Sequence, residues 1–192
     1  MSRCRAFFAV ASIVALSTIT SAQSFDYRTL ATSKTSTMVK EMNDAAAAGF
    51  RYAAVMGGDT AIGGKEVVVT MTRQLGKPPQ GRYQYQLLAT SKTSTMQKEL
   101  QLAADQGFDY RGQTVFESTF GGKEVVCILE RDRDDASPPR YVYQLLATSK
   151  TSTMQKELQA AGEQGFEVVG MTVGKTAMGG SEIVTITRRR VK

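Results

Sequence analysis

The hydrophobic and polar positions of this chain follow one pattern that recurs three times, every 58 residues. Each copy opens with alternating residues, such as Tyr-Gln-Tyr-Gln-Leu-Leu at 83–88, which indicate a strand. Next, Met96, Leu100 and Ala103 recur at helical spacing and give a helix one apolar face. Each copy then continues through a second strand and a double glycine to a strongly β-prone strand, such as residues 125–129. The pattern predicts three tandem βαββ modules.

Glycines mark the helix ends and the hairpins of this pattern. The residue pairs that end the helices are Gly49-Phe50, Gly107-Phe108 and Gly165-Phe166, as a left-handed cap with an apolar residue behind it requires. Double glycines at 63–64, 121–122 and 179–180 accept positive φ and predict hairpin turns. Serine and glutamine have capping-box spacing at the second and third helix starts. The pairs are Ser94 with Gln97 and Ser152 with Gln155, whereas Val39 replaces the glutamine in the first copy.

The directions of the strands predict the sheet of each module. A helix returns the chain between strands one and two, so these two run parallel and strand three opposes both. We therefore expect an α+β fold with antiparallel sheets in the order 1-3-2. The third strand is apolar on both faces in the first two modules, which indicates a sheet covered on both sides. The helix covers one face, and a closed pseudo-threefold packing of the modules would cover the other and remove free edges.

The chain opens with the layout of a secretory signal peptide. Arg3 and Arg5 precede an apolar run of about 14 residues and a small-residue cleavage site at 20–22. That run is shorter than the roughly 20 residues that span a bilayer. We expect cleavage near Ala22 and a bacterial periplasmic or secreted protein without a transmembrane segment after cleavage. The expected organisation is signal peptide 1–22, module one 23–73, linker 74–82, module two 83–131, linker 132–140, and module three with a basic tail 141–192. Paired prolines make the linkers stiff and exposed.

Composition narrows the chemistry that the chain can perform. It contains no histidine, the usual base near neutral pH and a common zinc or copper ligand. After cleavage the only cysteine is Cys127, which we expect to be buried on a strand, and 22 basic against 18 acidic residues leave a net charge of +4. The charges are interspersed, unlike a nucleic-acid-binding face, so Arg188, Arg189 and Arg190 are interpreted as a solvated tail. We expect no metal, no cofactor, no nucleic acid partner and no enzyme activity. A carboxylate or tyrosine enzyme in a cleft between modules remains the alternative.

The clearest candidate for a binding site is a nine-residue string, Leu-Ala-Thr-Ser-Lys-Thr-Ser-Thr-Met, found unchanged at 30–38, 88–96 and 146–154. It lies between a strand and a helix N-terminus, where free amides and the helix dipole favour an anion. One hypothesis is that these loops bind an anionic small molecule or envelope component. The alternative is that the hydroxyls cap the helix and the lysine is solvated. The candidate residues are Ser33, Lys34, Thr35, Ser36, Ser91, Lys92, Thr93, Ser94, Ser149, Lys150, Thr151 and Ser152.

Two further sets of residues recur in all three modules. Glutamates follow the double glycine and arginines end the third strand, and we interpret them as exposed ion pairs: Glu66, Glu124 and Glu182, with Arg73, Arg131 and Arg189. Tyr27, Tyr85 and Tyr143 lie on the first strand, where we expect core or inter-module packing. A self-assembling envelope component, with the repeated string as its interface, is the alternative function. The sequence leaves the oligomeric state open.

Three short motifs of module three have counterparts in a known family. They are Tyr141-x-Tyr143, Gly-Phe-Glu-Val-Val at 165–169, and a last strand ending in Arg189. In these features each module resembles, end to end, a family of small bacterial domains of unknown function, with phenylalanine in place of the more usual tryptophan. The resemblance implies the βαββ fold and no established activity. The layout is also similar to periplasmic stress-associated βαββ domains of enteric bacteria. It is similar in topology to dodecins, whose flavin-stacking tryptophan has no counterpart here.

Overall fold

The computed structural model describes residues 23–60, 64–117, 123–175 and 180–191. The signal-peptide prediction for 1–22 and most of the predicted hairpin glycines lie outside these ranges. The elements are β1 (Phe25–Thr32), α1 (Thr35–Ala47), β2 (Arg51–Thr60), β3 (Gly64–Gln74), β4 (Tyr83–Thr90), α2 (Thr93–Asp105), β5 (Asp109–Glu117), β6 (Lys123–Asp132), β7 (Tyr141–Thr148), α3 (Thr151–Glu163), β8 (Glu167–Lys175) and β9 (Ser181–Arg190). Among the described residues, no helix is long and apolar enough to cross a membrane.

Each module is a three-stranded antiparallel sheet with one helix. The strand orders are β1-β3-β2, β4-β6-β5 and β7-β9-β8, which confirms the predicted 1-3-2 order and the three βαββ modules. The second strand of each sheet carries a β-bulge at the same repeat position, between Tyr52 and Ala54 in module one. The register shifts in the same way between Tyr110 and Gly112 and between Val168 and Gly170. A bulge turns neighbouring side chains out of the regular alternation, and here it lies where modules meet.

Each helix ends with the predicted glycine cap. An arginine that the sequence analysis interpreted as part of an exposed ion pair also binds the helix end. Gly49 has φ +86°, and the Phe50 amide donates to the Ala45 carbonyl at 3.1 Å. Arg73 stacks 4.6 Å from the Phe50 ring centroid and donates to the Ala48 carbonyl at 3.1 Å. Its counterparts in modules two and three, Arg131 and Arg189, make the same pair of contacts. The expected ion pairs between these arginines and Glu66, Glu124 and Glu182 are therefore wrong, because each guanidinium binds a carbonyl at the helix end instead. Arg73 also pairs with Asp26, at 2.7 Å.

The predicted capping boxes are also wrong. Each helix starts one residue after the lysine, so Lys34, Lys92 and Lys150 are the extended N-cap residues, and none of the helices has a side-chain cap. The preceding threonine turns the chain instead: the Lys92 amide donates to the Thr90 hydroxyl at 3.1 Å. Gln97 does not return to its own helix start, because it hydrogen-bonds a strand of the next module. The Gln97 side-chain amide instead bonds the free backbone edge of β7, whose carbonyl and amide groups have no strand partner on that side in the described part of the chain.

The hydrophobic core lies between modules rather than within each one. One cluster joins Met38, Met42 and Val69 of module one to Tyr85 and Ile128 of module two. A second cluster joins the apolar residues of module two to Tyr143 and Ile186 of module three in the same way. Each of the first two helices therefore lies between its own sheet and the next one. The third cluster, around Met154, has only three buried members among the described residues, because no sheet of another module packs on α3 there.

The closed threefold ring expected from the sequence is not formed. Modules pack one-to-two and two-to-three, α1 against β4 and α2 against β7, and among the described residues no comparable packing joins α3 to β1. Tyr27 shows the consequence: its side chain is 64% exposed, whereas Tyr85 and Tyr143, at the same repeat position, are 2% and 3% exposed. The described residues of module three do not pack against those of module one, so the three modules form an open row with two unpaired ends.

Candidate functional site: the joints between modules

The structure places the three Ser/Thr/Lys loops at equivalent points of the row, and within the described residues no hydrogen bond or ion pair joins one loop to another. The serines and lysines of all three loops are exposed, and most of their threonines are half-buried. The second loop lines a small cleft with Lys123 and Glu182. Its volume of ≈ 20 Å³ is about that of one water molecule. Any larger anion would bind on the surface of the loop, outside this cleft.

The first joint, between modules one and two, is centred on the Tyr85 hydroxyl. It donates to Glu130 at 2.7 Å and accepts from the Tyr52 backbone amide at 2.8 Å. Glu130 is 6% exposed and pairs with Arg51 of module one, N–O 2.7 Å. The Arg51 guanidinium lies 4.3 Å from the Tyr83 ring centroid. A tyrosine, a carboxylate and an arginine thus satisfy one another across the joint, with no hydrogen-bonding capacity of the tyrosine hydroxyl left over.

The second joint repeats this arrangement with the charges exchanged. The Tyr143 hydroxyl donates to Asp109 of module two at 2.8 Å and accepts from the Tyr110 amide at 2.9 Å. Asp109 pairs with Arg188 of module three, whose guanidinium lies 4.3 Å from the Tyr141 ring centroid. The preceding module supplies arginine at the first joint and aspartate at the second. Each joint therefore pairs opposite charges, whereas the Arg51 surface against Arg188, or the Asp109 surface against Glu130, would place like charges together.

Helix side-chain amides bind the backbone edge of the following sheet. Asn43 of α1 donates to the Tyr85 carbonyl and accepts from the Tyr85 amide, both at 3.0 Å. Gln101 of α2 makes the same pair of bonds to the Tyr141 carbonyl and the Tyr143 amide, at 3.2 and 3.1 Å. Gln97 adds a second pair to the same strand. These amides act as short substitutes for a fourth strand, and they cover an edge that would otherwise stay open.

Two glycines let the modules approach closely. A Cβ on Gly112 would lie 2.1 Å from the Tyr52 hydroxyl, and a Cβ on Gly170 would lie 2.1 Å from the Tyr110 hydroxyl. Both glycines follow the bulge in the second strand of their sheet. A tyrosine of each module therefore needs a glycine in the next one. Module one, which has no predecessor in the chain, carries Ala54 at this position.

The ionisation of the joint residues matches a structural use. Burial, together with the neighbouring carboxylate, raises the pKa of Tyr85 and of Tyr143, and burial likewise raises the pKa of Tyr110. These phenols therefore stay protonated donors at neutral pH. Within the described parts of the chain, no group of three or more His, Cys, Asp or Glu residues could hold a metal ion. At each joint an arginine of one module pairs with the carboxylate of the other, so the arrangement connects the two modules.

Sequence reasoning located the tyrosines of the joints but missed most of their partners. The expectation of core or inter-module packing is confirmed for Tyr85 and Tyr143 and wrong for Tyr27, which none of the described residues buries. The missed residues are Asn43, Arg51, Gln101, Asp109, Gly112, Glu130 and Gly170. The interpretation of Arg188 as part of a solvated tail is wrong, because its side chain is 19% exposed and pairs with Asp109 and Glu167. One available signal was a glycine inside a strand in modules two and three, which marks a bulge or a close backbone approach.

The two ends of the row carry the same surfaces as the joints, but none of the described residues covers them. We call the sheet surface that faces the preceding module the front face, and the surface that faces the following module the back face. In module one the front face comprises Phe25, Tyr27, Ala54, Met56 and Thr72. In module three the back face comprises Gln155, Gln159, Glu167, Val168 and Met171. Their large apolar side chains are 45% to 64% exposed, an amount that usually marks an interaction surface when it is contiguous.

Comparison of the chain with models of known protein families, with curated proteins and with solved structures found no match. The resemblance to small bacterial βαββ domains therefore stays a prediction.

Proposed function

We propose that this chain is an exported bacterial protein with a non-enzymatic structural role, which binds envelope macromolecules through the two end faces of its row of modules. One observation carries the proposal: Tyr27 is 64% exposed where Tyr85 and Tyr143 are almost fully buried. The chain thus buries this surface wherever a neighbouring module exists and leaves it open at the end. Export is inferred from the layout of residues 1–22.

The chemistry of the joints supports a structural role over the enzyme alternative. The carboxylates and tyrosines with potential for acid-base chemistry lie in the clefts between modules, where a catalyst would have to be. There Glu130 is held by Arg51 and Tyr85, and Asp109 by Arg188 and Tyr143. Groups engaged in this way contribute to stability and orientation, and their hydrogen bonds and ion pairs to one another compete with any bond to a substrate.

A photo-crosslinking experiment in living cells tests the proposed role. A benzoylphenylalanine residue replaces Tyr27 in the full chain, and a matched control places it at Leu102, which is 61% exposed on α2 of the middle module. We expect ultraviolet light to produce a covalent adduct of defined mass from the Tyr27 position and much less from Leu102. Equal yields at both positions, or no adduct at Tyr27, would refute binding at the front face.

An anion held by the Ser/Thr/Lys loops is the second candidate function. The observation in its favour is that all three helices start without a side-chain cap, beside an exposed lysine. A thermal-shift titration with inorganic phosphate tests it, because a ligand of the native state raises the melting temperature by mass action. We expect a shift that disappears when Lys34, Lys92 and Lys150 are changed together to alanine. A shift that survives the triple change would remove the loops as the site.

A further inference from the structure

We propose that the partner of the end faces is a second copy of this chain. The back face of module three binds the front face of module one of the next copy, in the same geometry that joins modules within the chain. This inference rests on the proposed structural function and names its partner. It starts from the fact that the chain makes one kind of joint twice and leaves the two halves of a third joint unpaired at its ends.

The first support comes from the strand edge. β1 pairs only with β3, so its other backbone edge is open, whereas amide side chains cover the corresponding edges of β4 and β7. Module three carries Gln155 and Gln159 at the repeat positions of Gln97 and Gln101. Both are exposed, and neither side chain makes a hydrogen bond in the described part of the chain. In the proposed joint they bind the backbone of residues 25–29 of the next copy.

The second support is steric. Within the chain a tyrosine on the back face meets a glycine: Tyr52 meets Gly112, and Tyr110 meets Gly170. At the ends both members differ together, since Val168 replaces the tyrosine and Ala54 replaces the glycine. A smaller side chain thus faces the position that has gained a Cβ. A tyrosine against Ala54 would repeat the 2.1 Å clash, so the substitutions compensate if these two faces meet.

The third support is polar. In the second joint Tyr143 donates to Asp109 and accepts from the Tyr110 amide. Glu167 and Val168 occupy the positions of Asp109 and Tyr110, and Tyr27 occupies that of Tyr143. The Tyr27 hydroxyl can therefore donate to the Glu167 carboxylate of the neighbouring copy and accept from the Val168 amide.

The charges favour module one as the module whose front face contacts the back face of module three. In place of the charged Glu130 and Arg188 of the other two sheets, module one has the neutral Thr72. The front face of module two would oppose Glu167 to Glu130, two carboxylates in one joint, which is unfavourable. Glu167 already pairs with Arg188 of its own module at 2.9 Å, so it needs no second cation across the joint.

The symmetry of such contacts has a consequence for assembly. The two faces differ, so the interface is heterologous and cannot close as a twofold dimer through identical patches. Repeating it yields either a ring of several chains or an open filament. Front-to-front pairing, in contrast, would stop at two copies.

Disulfide trapping with purified mature chains, starting at Gln23, tests the direction of this contact. One chain carries Ala54→Cys and the other Val168→Cys; both positions are exposed, so folding does not depend on them. The native Cys127 is fully buried. We expect the mixture to oxidise to a crosslinked heterodimer, while each variant alone stays largely uncrosslinked. The control is Leu102→Cys mixed with Val168→Cys, which should give no crosslink above background.

Sedimentation velocity across protein concentrations supplies the second readout. We expect mass to rise with concentration for the unaltered chain, and Tyr27→Glu to weaken association about tenfold or more, because it removes the hydroxyl and opposes Glu167. A monomer at every concentration, or crosslinks in the Ala54→Cys chain alone, would overturn head-to-tail assembly. If the cellular adduct at Tyr27 is then another macromolecule, the structural role stands and only the identity of the partner is wrong.

Discussion

The Tyr85 hydroxyl donates a 2.7 Å hydrogen bond to the buried carboxylate of Glu130, at the point where modules one and two meet. The same hydroxyl accepts from the Tyr52 amide of the preceding module, so a single side chain connects two sheets. Tyr143 does the same at the second joint with Asp109 and Tyr110. The polar network at each joint supports the apolar cluster beside it, and both contribute to the stability of the row.

Removing the hydroxyl of Tyr85 should destabilise the protein, while the same change at an end should not. We expect Tyr85→Phe to lower the free energy of unfolding by about 1–3 kcal/mol, because Glu130 and the Tyr52 amide each lose a buried partner. Tyr27→Phe is the matched control at the same repeat position; its exposed hydroxyl should contribute less than about 0.5 kcal/mol in the monomer. Urea unfolding at low protein concentration measures both, and equal effects would contradict the role assigned to the joint.

The ion pair between Arg51 and Glu130 should matter far more than a surface pair. We expect Arg51→Gln to cost about 2 kcal/mol, because the buried Glu130 carboxylate loses its closest cation and keeps only Arg111, at 3.6 Å. The control is Lys40→Gln in the exposed pair with Asp44, N–O 2.8 Å, which should cost less than about 1 kcal/mol. A double-mutant cycle with Glu130→Gln measures the coupling directly. A coupling close to zero would show that the two charges do not stabilise the joint.

The close approach at Gly112 predicts a steric effect that can be reversed. Gly112→Ala should destabilise the chain by about 1–3 kcal/mol, because the new Cβ meets the Tyr52 hydroxyl. Adding Tyr52→Val recreates the pair found at the two ends and should recover part of that loss. Gly58→Ala is the control, since nothing lies within 4 Å of a Cβ there. Urea unfolding measures the free energies of the single and double variants. If the effects of Gly112→Ala and Tyr52→Val simply add, the contact between these two residues is not supported.

Stability should fall at alkaline pH. Burial raises the pKa of the Cys127 thiol from 9.0 to about 12, and it raises the pKa values of Tyr85, Tyr110 and Tyr143 above 10.0. The unfolded chain releases the thiol proton above about pH 9 and the phenol protons above about pH 10, whereas the folded chain keeps them. The unfolding free energy therefore declines as pH rises, by about 1.4 kcal/mol per pH unit for each such group, and these groups contribute no slope at neutral pH.

Urea unfolding between pH 7 and pH 11 measures this decline. Cys127→Val removes a group that ionises early in the unfolded state, so the variant should begin to lose stability nearer pH 10 than pH 9. A profile that stays flat to pH 11 would contradict the burial of these groups.

The local sequence pattern was sufficient to predict those parts of the fold that depend on residues close together in the chain. Gly49 followed by Phe50 predicted a helix end, and the βαββ order with a central third strand followed from strand direction. The same kind of reasoning failed at Gln97, whose spacing from Ser94 fits a capping box. Its amide can bind its own helix start or a strand edge, and the spacing does not say which acceptor will be nearer. The anion-site hypothesis for the Ser/Thr/Lys loops stays a prediction.

The amino-acid pattern was enough to predict the repeat, the module fold and the tyrosines that lie on the first strands. Which of these surfaces a neighbouring module covers is visible only in the tertiary structure. Tyr27 and Tyr85 lie in closely similar local sequences, yet only Tyr85 has a preceding module against it. α1 and α2 each pack between their own sheet and the next one, and among the described residues no such packing joins α3 to β1, so the row is open rather than closed. These contacts join side chains that are distant in sequence, and no local pattern encodes them.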